Sequence, residues 1–292
     1  MNNITRYKSI LINGIEIFYR EAGREDNPTI LLLHGFPSSS FMFRNLINEL
    51  KEKYYLIAPD YPGFGYSHCP ATNEFEYTFD NLSLIIEEFI NKLGIKKFSL
   101  YIQDYGAPVG LRIVMHRPEL LECLIIQNAN AYEKGLGPLC EPLISAWTDN
   151  RESARETIYS ILELPITRLQ YIDGAYDLSR ISPDTWHLDQ ALLDRPGNKE
   201  IQFQLLYDYK NNLTQYPKWQ KMLRKLQPPT LIVWGERDQF FVKEGALAYG
   251  DDLSNIEFHF FPTGHFALEE FYTEIAAKID DFLYRNLMRS AI

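Results

Sequence analysis

Residues 98–110 read Phe98-Ser99-Leu100-Tyr101-Ile102-Gln103-Asp104-Tyr105-Gly106-Ala107-Pro108-Val109-Gly110. An apolar, β-prone run ends abruptly at Asp104, and small residues and then a helical pattern follow it. This order predicts a buried strand, a sharp turn and a helix, with a carboxylate at the apex of the turn. A nucleophile elbow has this form, because small neighbours let the helix pack close to the strand.

The carboxylate at the apex has two possible roles. Asp104 is a candidate nucleophile, because a carboxylate is already ionised at neutral pH and can attack carbon without a base. It is equally suited to capping the helix that begins near Tyr105, since Asp is a preferred residue at that position. The stretch alone does not choose between these roles, so the rest of the chain has to decide.

The composition restricts the class of protein. The chain has 292 residues, 46% of them hydrophobic, which is enough for one large core or for a core with an inserted lobe. Its net charge is −10, its pI is about 5.2, and it has no basic stripe. Nucleic acids and anionic membrane surfaces are therefore not expected as partners.

Cysteine usage and hydropathy predict a cytoplasmic protein. Cys69, Cys123 and Cys140 are scattered, with no closely spaced pair, and no apolar signal core follows Met1. This pattern favours a reducing compartment and no disulfide framework. No apolar run approaches the ~20 residues that a membrane-spanning helix needs. The sequence leaves the oligomeric state open.

Strands and helices are predicted to alternate along most of the chain. The predicted strands cover residues 9–12, 15–20, 29–33, 54–58, 98–103, 121–127, 230–234 and 256–261. Helices are predicted at residues 41–51, between Thr78 and Gly94, near 246–249 and at 266–287. An α/β architecture, with a mostly parallel sheet flanked by helices on both faces, accounts for this alternation.

The alternation breaks between about residue 131 and residue 226. That stretch has helical patterns, several prolines and many Trp and Tyr residues, but no clear buried strand. We therefore predict an α/β core formed by residues 1–130 and 227–292, with a helical cap formed by residues 131–226. Chemistry in an open parallel sheet collects beyond the carboxyl ends of the strands, so the cap is expected to cover that edge.

Three ionisable residues follow predicted strands in an order that indicates catalysis. Asp104, Asp238 and His265 each lie just beyond a strand end, and nucleophile, acid, His is the order of the α/β-hydrolase triad. The chain resembles the α/β-hydrolases over nearly the whole predicted core. Within it, Gln103-Asp104-Tyr105-Gly106-Ala107-Pro108 is similar to the Asp-nucleophile branch, which includes epoxide hydrolases, haloalkane dehalogenases and fluoroacetate dehalogenases.

The resemblance implies a two-step mechanism that needs no cofactor. Asp104 attacks an electrophilic carbon and forms an ester, and His265 then activates a water that attacks the ester carbonyl, while Asp238 orients the imidazole. The backbone N–H groups of Phe36 and Tyr105 are the expected oxyanion donors, and losing one would cost on the order of 3 kcal/mol. The expected partners are water and a small, apolar to moderately polar organic substrate.

Other residues compete for these roles. Glu236 is an alternative acid, although the position typical of the family favours Asp238. Ser67, in Gly65-Tyr66-Ser67-His68-Cys69, resembles a serine nucleophile, but no buried strand runs directly into it. His34 matches a structural loop of the family, and the histidines lack metal-ligand spacing, so no metal site is expected.

The cap contains candidates for handling the leaving group. The segment Tyr207-Asp208-Tyr209-Lys210-Asn211-Asn212 resembles the Tyr-Arg-x-Asn segment of epoxide hydrolase caps. This resemblance implies that Tyr209 protonates the leaving oxygen, and a tyrosine that only packs the cap against the core is the alternative. Tyr159, Tyr171 and Tyr176 are candidates for a second tyrosine, and no motif selects one of them.

The halide-binding positions depart from the dehalogenase pattern. Haloalkane dehalogenases typically carry Trp after the nucleophile and often Asn after the His-Gly, where this chain has Tyr105 and Phe36. Trp147 in the cap is the remaining candidate N–H donor for a halide. Fluoroacetate dehalogenases have arginines where Tyr105 and Pro108 stand, so their substrate is not expected. The sequence thus predicts an epoxide hydrolase, with a haloalkane dehalogenase or a non-catalytic receptor or scaffold as alternatives.

Overall fold

The computed structural model describes residues 4–148 and 151–288, which contain one eight-stranded sheet. The strands are β1 (Arg6–Ile12), β2 (Ile15–Ala22), β3 (Thr29–Leu33), β4 (Tyr55–Pro59), β5 (Phe98–Gln103), β6 (Leu121–Gln127), β7 (Thr230–Gly235) and β8 (Ile256–Phe261). Their order is β1-β2-β4-β3-β5-β6-β7-β8. Strand β2 is antiparallel to both of its neighbours, and all other pairs are parallel. The predicted mostly parallel sheet is confirmed.

Helices cover both faces of this sheet. The α-helices of the described ranges, in chain order, are α1 (Arg44–Leu50), α2 (Phe79–Lys92), α3 (Gly106–His116), α4 (Glu141–Thr148), α5 (Arg151–Ile161), α6 (Leu164–Ile172), α7 (Asp184–Leu193), α8 (Asn198–Asp208), α9 (Lys210–Leu213), α10 (Tyr216–Leu226), α11 (Lys243–Ala248) and α12 (Ala267–Leu283). Side chains of a strand alternate between the two faces. Leu100 and Ile102 therefore pack with α2 and α3, while Tyr101 packs with α1 and α12.

Local sequence signals set several of these boundaries. Asn13 and Gly14 both have positive φ, 49° and 84°, as the tight turn between β1 and β2 requires. The Thr78 hydroxyl accepts a hydrogen bond from the Asn81 backbone N–H at 3.2 Å and caps α2. Gly94, which follows α2, has a φ of 71°.

Two helix boundaries differ from the prediction. The helix predicted at residues 41–51 begins as a short 3₁₀ turn, Ser40–Phe43, before α1. The cause is a tertiary contact, since the Ser40 backbone N–H donates to the buried Asp60 carboxylate at 2.7 Å. The short helix near residues 246–249 is α11, which begins three residues earlier, at Lys243.

Helices α4–α10 form an insertion in the chain between β6 and β7. This observation confirms the predicted helical insert, and its proposed bounds, residues 131–226, stay a prediction. No helix in the described ranges is both long and apolar enough to cross a membrane. Since β5, β6, β7 and β8 run parallel, the loops that follow them emerge at one edge of the sheet.

Candidate active site

The turn after β5 is a strained elbow with Asp104 at its apex. Asp104 has a φ of 48°, a left-handed conformation that non-glycine residues rarely adopt. The chain then enters α3 directly at Gly106, where a Cβ would lie 2.4 Å from the Leu33 carbonyl oxygen. Glycine is therefore required there for α3 to pack close to β3. The strain fixes the position of the carboxylate at the edge of the sheet.

Two backbone donors hold the Asp104 carboxylate. The Phe36 N–H donates to Oδ1 at 2.7 Å, and the Tyr105 N–H also donates to the carboxylate. The loop carrying Phe36 can approach this closely because a Cβ on Gly35 would lie 2.3 Å from the Asp104 Cβ. The two oxyanion donors expected from the sequence thus lie beside Asp104.

His265 lies between two carboxylates. Its Nδ1 is 2.7 Å from Oδ2 of Asp238, and its Nε2 is 4.0 Å from Oδ2 of Asp104. Asp238 is itself fixed, because its oxygens accept hydrogen bonds from the Phe240 N–H and the Asn128 side-chain amide, both at 2.8 Å. The three residues that the sequence placed at strand ends therefore come together as a hydrogen-bonded Asp238–His265 pair beside the Asp104 carboxylate.

Burial and neighbouring charges shift the pKa values of Asp104 and His265 in opposite directions. Burial raises the pKa of Asp104 to about 6, although His265 and the backbone donors favour its charged form. Burial disfavours the charged form of His265, but the carboxylates of Asp238 and Asp104 outweigh it and raise the pKa of the imidazole. Asp104 is therefore ionised at neutral pH, as a nucleophile must be.

The raised pKa of Asp104 predicts the pH dependence of its alkylation. The rate constant for ester formation should stay level above about pH 7 and fall as the pH drops through about 6, since only the carboxylate attacks carbon. Rapid-quench measurement of the ester across this range checks the prediction. A rate that stays level down to about pH 4, near the ordinary aspartate pKa, would contradict it.

An apolar cavity of about 150 Å³ adjoins Asp104 and His265. Its walls combine the elbow, the loop after β7 and the inserted helices. The aliphatic lining residues are Leu136, Leu139, Leu143, Ile161, Ile166, Leu169 and Leu206. Trp147, Tyr209 and Gln170 bring polar atoms into the same lining. The predicted closure of the strand ends by helices of the insertion agrees with this arrangement.

Tyr209 is one of two buried phenols that line this cavity, the other being Tyr105. The Tyr209 ring stacks on Trp147, with centroids 5.7 Å apart and ring planes within 6°. The Tyr209 hydroxyl pairs with that of Tyr216, and burial raises the pKa of Tyr209 well above its ordinary value. The phenol therefore remains protonated at neutral pH, in a form that can donate a proton.

Comparisons with known proteins agree on the fold. A family model of the alpha/beta hydrolase fold matches residues 28–272. An uncharacterized hydrolase of Saccharomyces cerevisiae is 41% identical over 98% of this chain and 99% of its own length. The chain belongs to the α/β-hydrolase family. This assignment confirms the fold class, and it identifies the chain as a hydrolase at the level of the family.

Solved structures similar to this α/β-hydrolase include enzymes of both predicted activities. The epoxide hydrolase CorEH has a TM-score of 0.79 and 22% identity, with 97% of this chain and 99% of that chain covered. The haloalkane dehalogenase DbeA from Bradyrhizobium elkani has a TM-score of 0.78 and 19% identity, with 96% and 99% covered. These likenesses show the fold alone, so the choice of leaving group depends on the residues of the cavity.

The competing residues lie outside the catalytic group of this α/β-hydrolase. Glu236 is partly exposed and pairs with Lys243 at 2.7 Å, whereas Asp238 is buried against His265. The Ser67 hydroxyl donates to the Asp60 carbonyl at 2.7 Å and accepts from the Phe18 N–H. Ser67 therefore anchors its loop instead of facing the cavity.

His34 has the structural role expected of it. Its Nε2 accepts from the Tyr61 N–H at 3.2 Å, which leaves Nδ1 to donate to the Gly35 carbonyl at 3.1 Å. Burial lowers the pKa of His34 to about 3, so the ring is neutral. His34 thus holds together the two loops that shape the oxyanion site.

The cap candidates differ from the expectation at two points. Tyr159, Tyr171 and Tyr176 are absent from the cavity lining in the described ranges: Tyr159 pairs with Arg155 and Glu200, Tyr171 bonds Asp189, and Tyr176 is exposed. The hydroxyl beside Tyr209 belongs instead to Tyr216. Trp147 lines the cavity as predicted, but its indole N–H donates to the Leu206 carbonyl at 2.9 Å.

Sequence reasoning missed the roles of two polar residues in this α/β-hydrolase. Asn128 bonds Asp238 and the Gly235 backbone, with a φ of 41°, so it positions the acid. The sequence feature that could have predicted this role is the location of Asn128 directly after β6, equivalent to that of Asp104 after β5. Gln170 lines the cavity from α6, and no sequence motif distinguishes it from other cap residues.

Proposed function

We propose that this α/β-hydrolase is an epoxide hydrolase that forms a covalent ester on Asp104. The observation that carries the proposal is Tyr209, a buried phenol that lines the same cavity as Asp104 and His265 and whose hydroxyl is paired with that of Tyr216. Opening an epoxide creates an alkoxide, which leaves readily only if an acid protonates it as charge develops. A protonated phenol close to the nucleophile meets this need.

Hydrogen bonds connect Tyr209 to Tyr216 and Asn130. The amide of Asn130 is oriented by Tyr132, since Oδ1 accepts from the Tyr132 N–H at 3.2 Å and Nδ2 donates to its carbonyl at 2.8 Å. Nδ2 also donates to the Tyr216 hydroxyl at 3.4 Å. The Tyr209 hydroxyl in turn donates to the Tyr216 oxygen, so its proton has to turn from Tyr216 to the substrate oxygen when an epoxide binds.

No side-chain N–H donor is free at the candidate halide-binding positions 36, 105 and 147, although the Tyr105 hydroxyl has no hydrogen-bond partner among the described residues. Trp147 gives its N–H to the Leu206 carbonyl, and the side chain at position 36 is a phenylalanine, which has no donor. A departing halide needs such N–H groups, whereas a departing alkoxide needs a proton. The haloalkane dehalogenase alternative therefore lacks the support that Tyr209 gives to epoxide opening.

The reaction balances with epoxide and water as the only reactants. The Asp104 carboxylate bonds to a ring carbon as the ring C–O bond breaks, and the released oxygen takes the Tyr209 proton, which solvent later restores. Water then loses a proton to His265 and attacks the Asp104 Cγ, while the Phe36 and Tyr105 N–H groups stabilise the oxyanion. As this intermediate collapses, the Cγ–O bond to the product breaks and His265 gives its proton to the departing oxygen, which completes a vicinal diol. The acid left on Asp104 then loses its proton to solvent, which regenerates the carboxylate and balances the proton that Tyr209 takes up.

The cavity favours a compact, uncharged epoxide. Its volume is about 150 Å³, at which an apolar protein cavity holds a molecule such as benzene. The cavity walls in the described part of the chain contain no Lys or Arg, so an anionic substituent would lack a counter-charge. We therefore expect an epoxide that carries a short apolar substituent.

The proposal is tested with Tyr209→Phe, which removes the hydroxyl and keeps the ring. Ester formation from propylene oxide should slow by about 10²- to 10⁴-fold, the usual contribution of a general acid. Any reaction with propyl bromide should slow far less, because bromide leaves without a proton. Single-turnover mass spectrometry of the Asp104 adduct measures both rates.

Tyr159→Phe is the matched control, since it removes a cap hydroxyl that bonds Arg155 and Glu200 outside the cavity. It should leave both rates nearly unchanged. If Tyr209→Phe slows ester formation equally with the two substrates, or does not slow it with the epoxide, Tyr209 only packs the cap against the core, and the haloalkane dehalogenase alternative is favoured.

A further inference from the structure

Gln103 precedes the nucleophile and contacts the base. It is the last residue of β5, its side chain is fully buried, and its Nε2 lies 3.0 Å from Nε2 of His265. Its Oε1 packs beside Gly35 and has no hydrogen-bond partner among the described residues. The amide therefore places one polar end on the catalytic imidazole and leaves the other unpaired.

The structure turns the amide nitrogen of Gln103 toward Nε2 of His265, an arrangement that suits the neutral ring. The Asp238 oxygen 2.7 Å from Nδ1 can only accept, so Nδ1 of His265 carries a hydrogen. In the neutral ring Nε2 then has a lone pair, and the amide group facing it must donate an N–H. A protonated ring would instead present an N–H to the N–H of Gln103, which is repulsive.

The charged groups around the ring favour the opposite state. Asp238 and Asp104 are the carboxylates that raise the pKa of His265. Its other close contacts are the rings of Phe240, Phe241 and Phe266, which carry no charge. An imidazolium formed before the reaction would pair with Asp104, weakening the nucleophile, and it could not take a proton from water.

We propose that Gln103 is a positioning residue whose amide N–H keeps His265 neutral, with Nε2 turned toward the cavity, until the hydrolytic water arrives. The inference rests on the proposed roles of Asp104 as nucleophile and His265 as base. Nε2 has a single lone pair, so water replaces the amide there before its proton moves to the ring. The oxygen of that water bonds to the Asp104 Cγ as its proton reaches Nε2.

The test is an NMR titration of the His265 imidazole in the full-length protein labelled with ¹⁵N-histidine. Gln103→Met keeps a linear side chain and removes the donor, so the pKa of His265 should rise by about 0.5 to 1 unit, the value of one hydrogen bond. Gln103→Glu replaces the amide by a group that favours imidazolium, so the rise should be about 1 unit or more. A His265→Gln sample assigns the resonance.

Gln127→Met is the matched control. Gln127 pairs with Gln103 across β5 and β6 and is equally buried, but it bonds the His265 backbone carbonyl at 3.3 Å and not the ring. Its loss should lower the melting temperature without moving the pKa of His265. A pKa that is unchanged or lowered in Gln103→Met, or raised equally in Gln127→Met, would overturn the inference.

Kinetics give a second readout that a purely structural role would not produce. In Gln103→Met the low-pH limb of ester hydrolysis should move to higher pH by the same amount as the titration. The titration needs no substrate, so its outcome is separate from that of the proposed function. An absence of any Asp104 adduct with propylene oxide would refute epoxide hydrolysis, whereas an unmoved titration would refute only the role of Gln103.

Discussion

A His265→Gln variant should accumulate a covalent ester on Asp104 when it is mixed with propylene oxide. Alkylation uses the carboxylate of Asp104 and does not need the imidazole, whereas hydrolysis of the ester needs a base to take a proton from water. We expect ester formation to survive and hydrolysis to slow by about 10²- to 10⁴-fold. Intact-protein mass spectrometry should show the added mass, and peptide mapping should place it on Asp104.

His259→Gln is the matched control for this experiment. His259 lies in the edge strand β8, is partly exposed and is near Glu257, away from the cavity. Its substitution should leave turnover intact and trap no adduct. An unmodified Asp104 in His265→Gln, together with wild-type turnover in Asp104→Ala, would exclude the covalent mechanism.

Asp238→Asn should reduce turnover by about 10⁴-fold, as the corresponding change does in a serine protease triad. Both Asp238 oxygens accept hydrogen bonds, one from Phe240 and the other from Asn128 and His265. An amide can supply only one acceptor, so either orientation sets an NH₂ group against a donor. The variant also loses the charge that stabilises the imidazolium formed during hydrolysis.

Two measurements separate this effect from general damage to the site. The pKa of His265 should fall in Asp238→Asn, because the Asp238 carboxylate raises that pKa in the unmodified protein and the variant lacks it. Glu236→Gln makes the same chemical change two residues away, at a side chain that pairs with Lys243, and turnover should persist there. Loss of turnover in Glu236→Gln but not in Asp238→Asn would assign the acid role to Glu236.

Asp104, Asp238 and His265 lie together as the sequence predicted, because the signals that place them are local. An apolar run that stops at Asp104 marks both a strand and its end, and the same holds for the strands before Asp238 and His265. Parallel strands present their carboxyl ends at one edge, so three separate strand ends imply one site. The nearby Phe36 loop followed from the same resemblance and topology.

The sequence did not determine how the cap side chains are used. Nothing in the sequence indicates that the Trp147 N–H is occupied, yet it donates to the Leu206 carbonyl, 59 residues away on α8. Tyr216 belonged to no motif, and only the tertiary structure sets its hydroxyl, at the start of α10, beside that of Tyr209. Such contacts depend on the relative orientation of helices, which hydrophobic periodicity does not specify.

By itself, then, the sequence determined the α/β fold, the helical insertion, and the identity and order of Asp104, Asp238 and His265. These features follow from patterns within single elements and from the geometry of parallel strands. The tertiary structure alone decided that the Trp147 donor is occupied, that Tyr209 is paired with Tyr216, and that Gln103 faces Nε2 of His265. Hydrogen bonds between distant side chains form only after packing fixes both partners, so no local pattern encodes them.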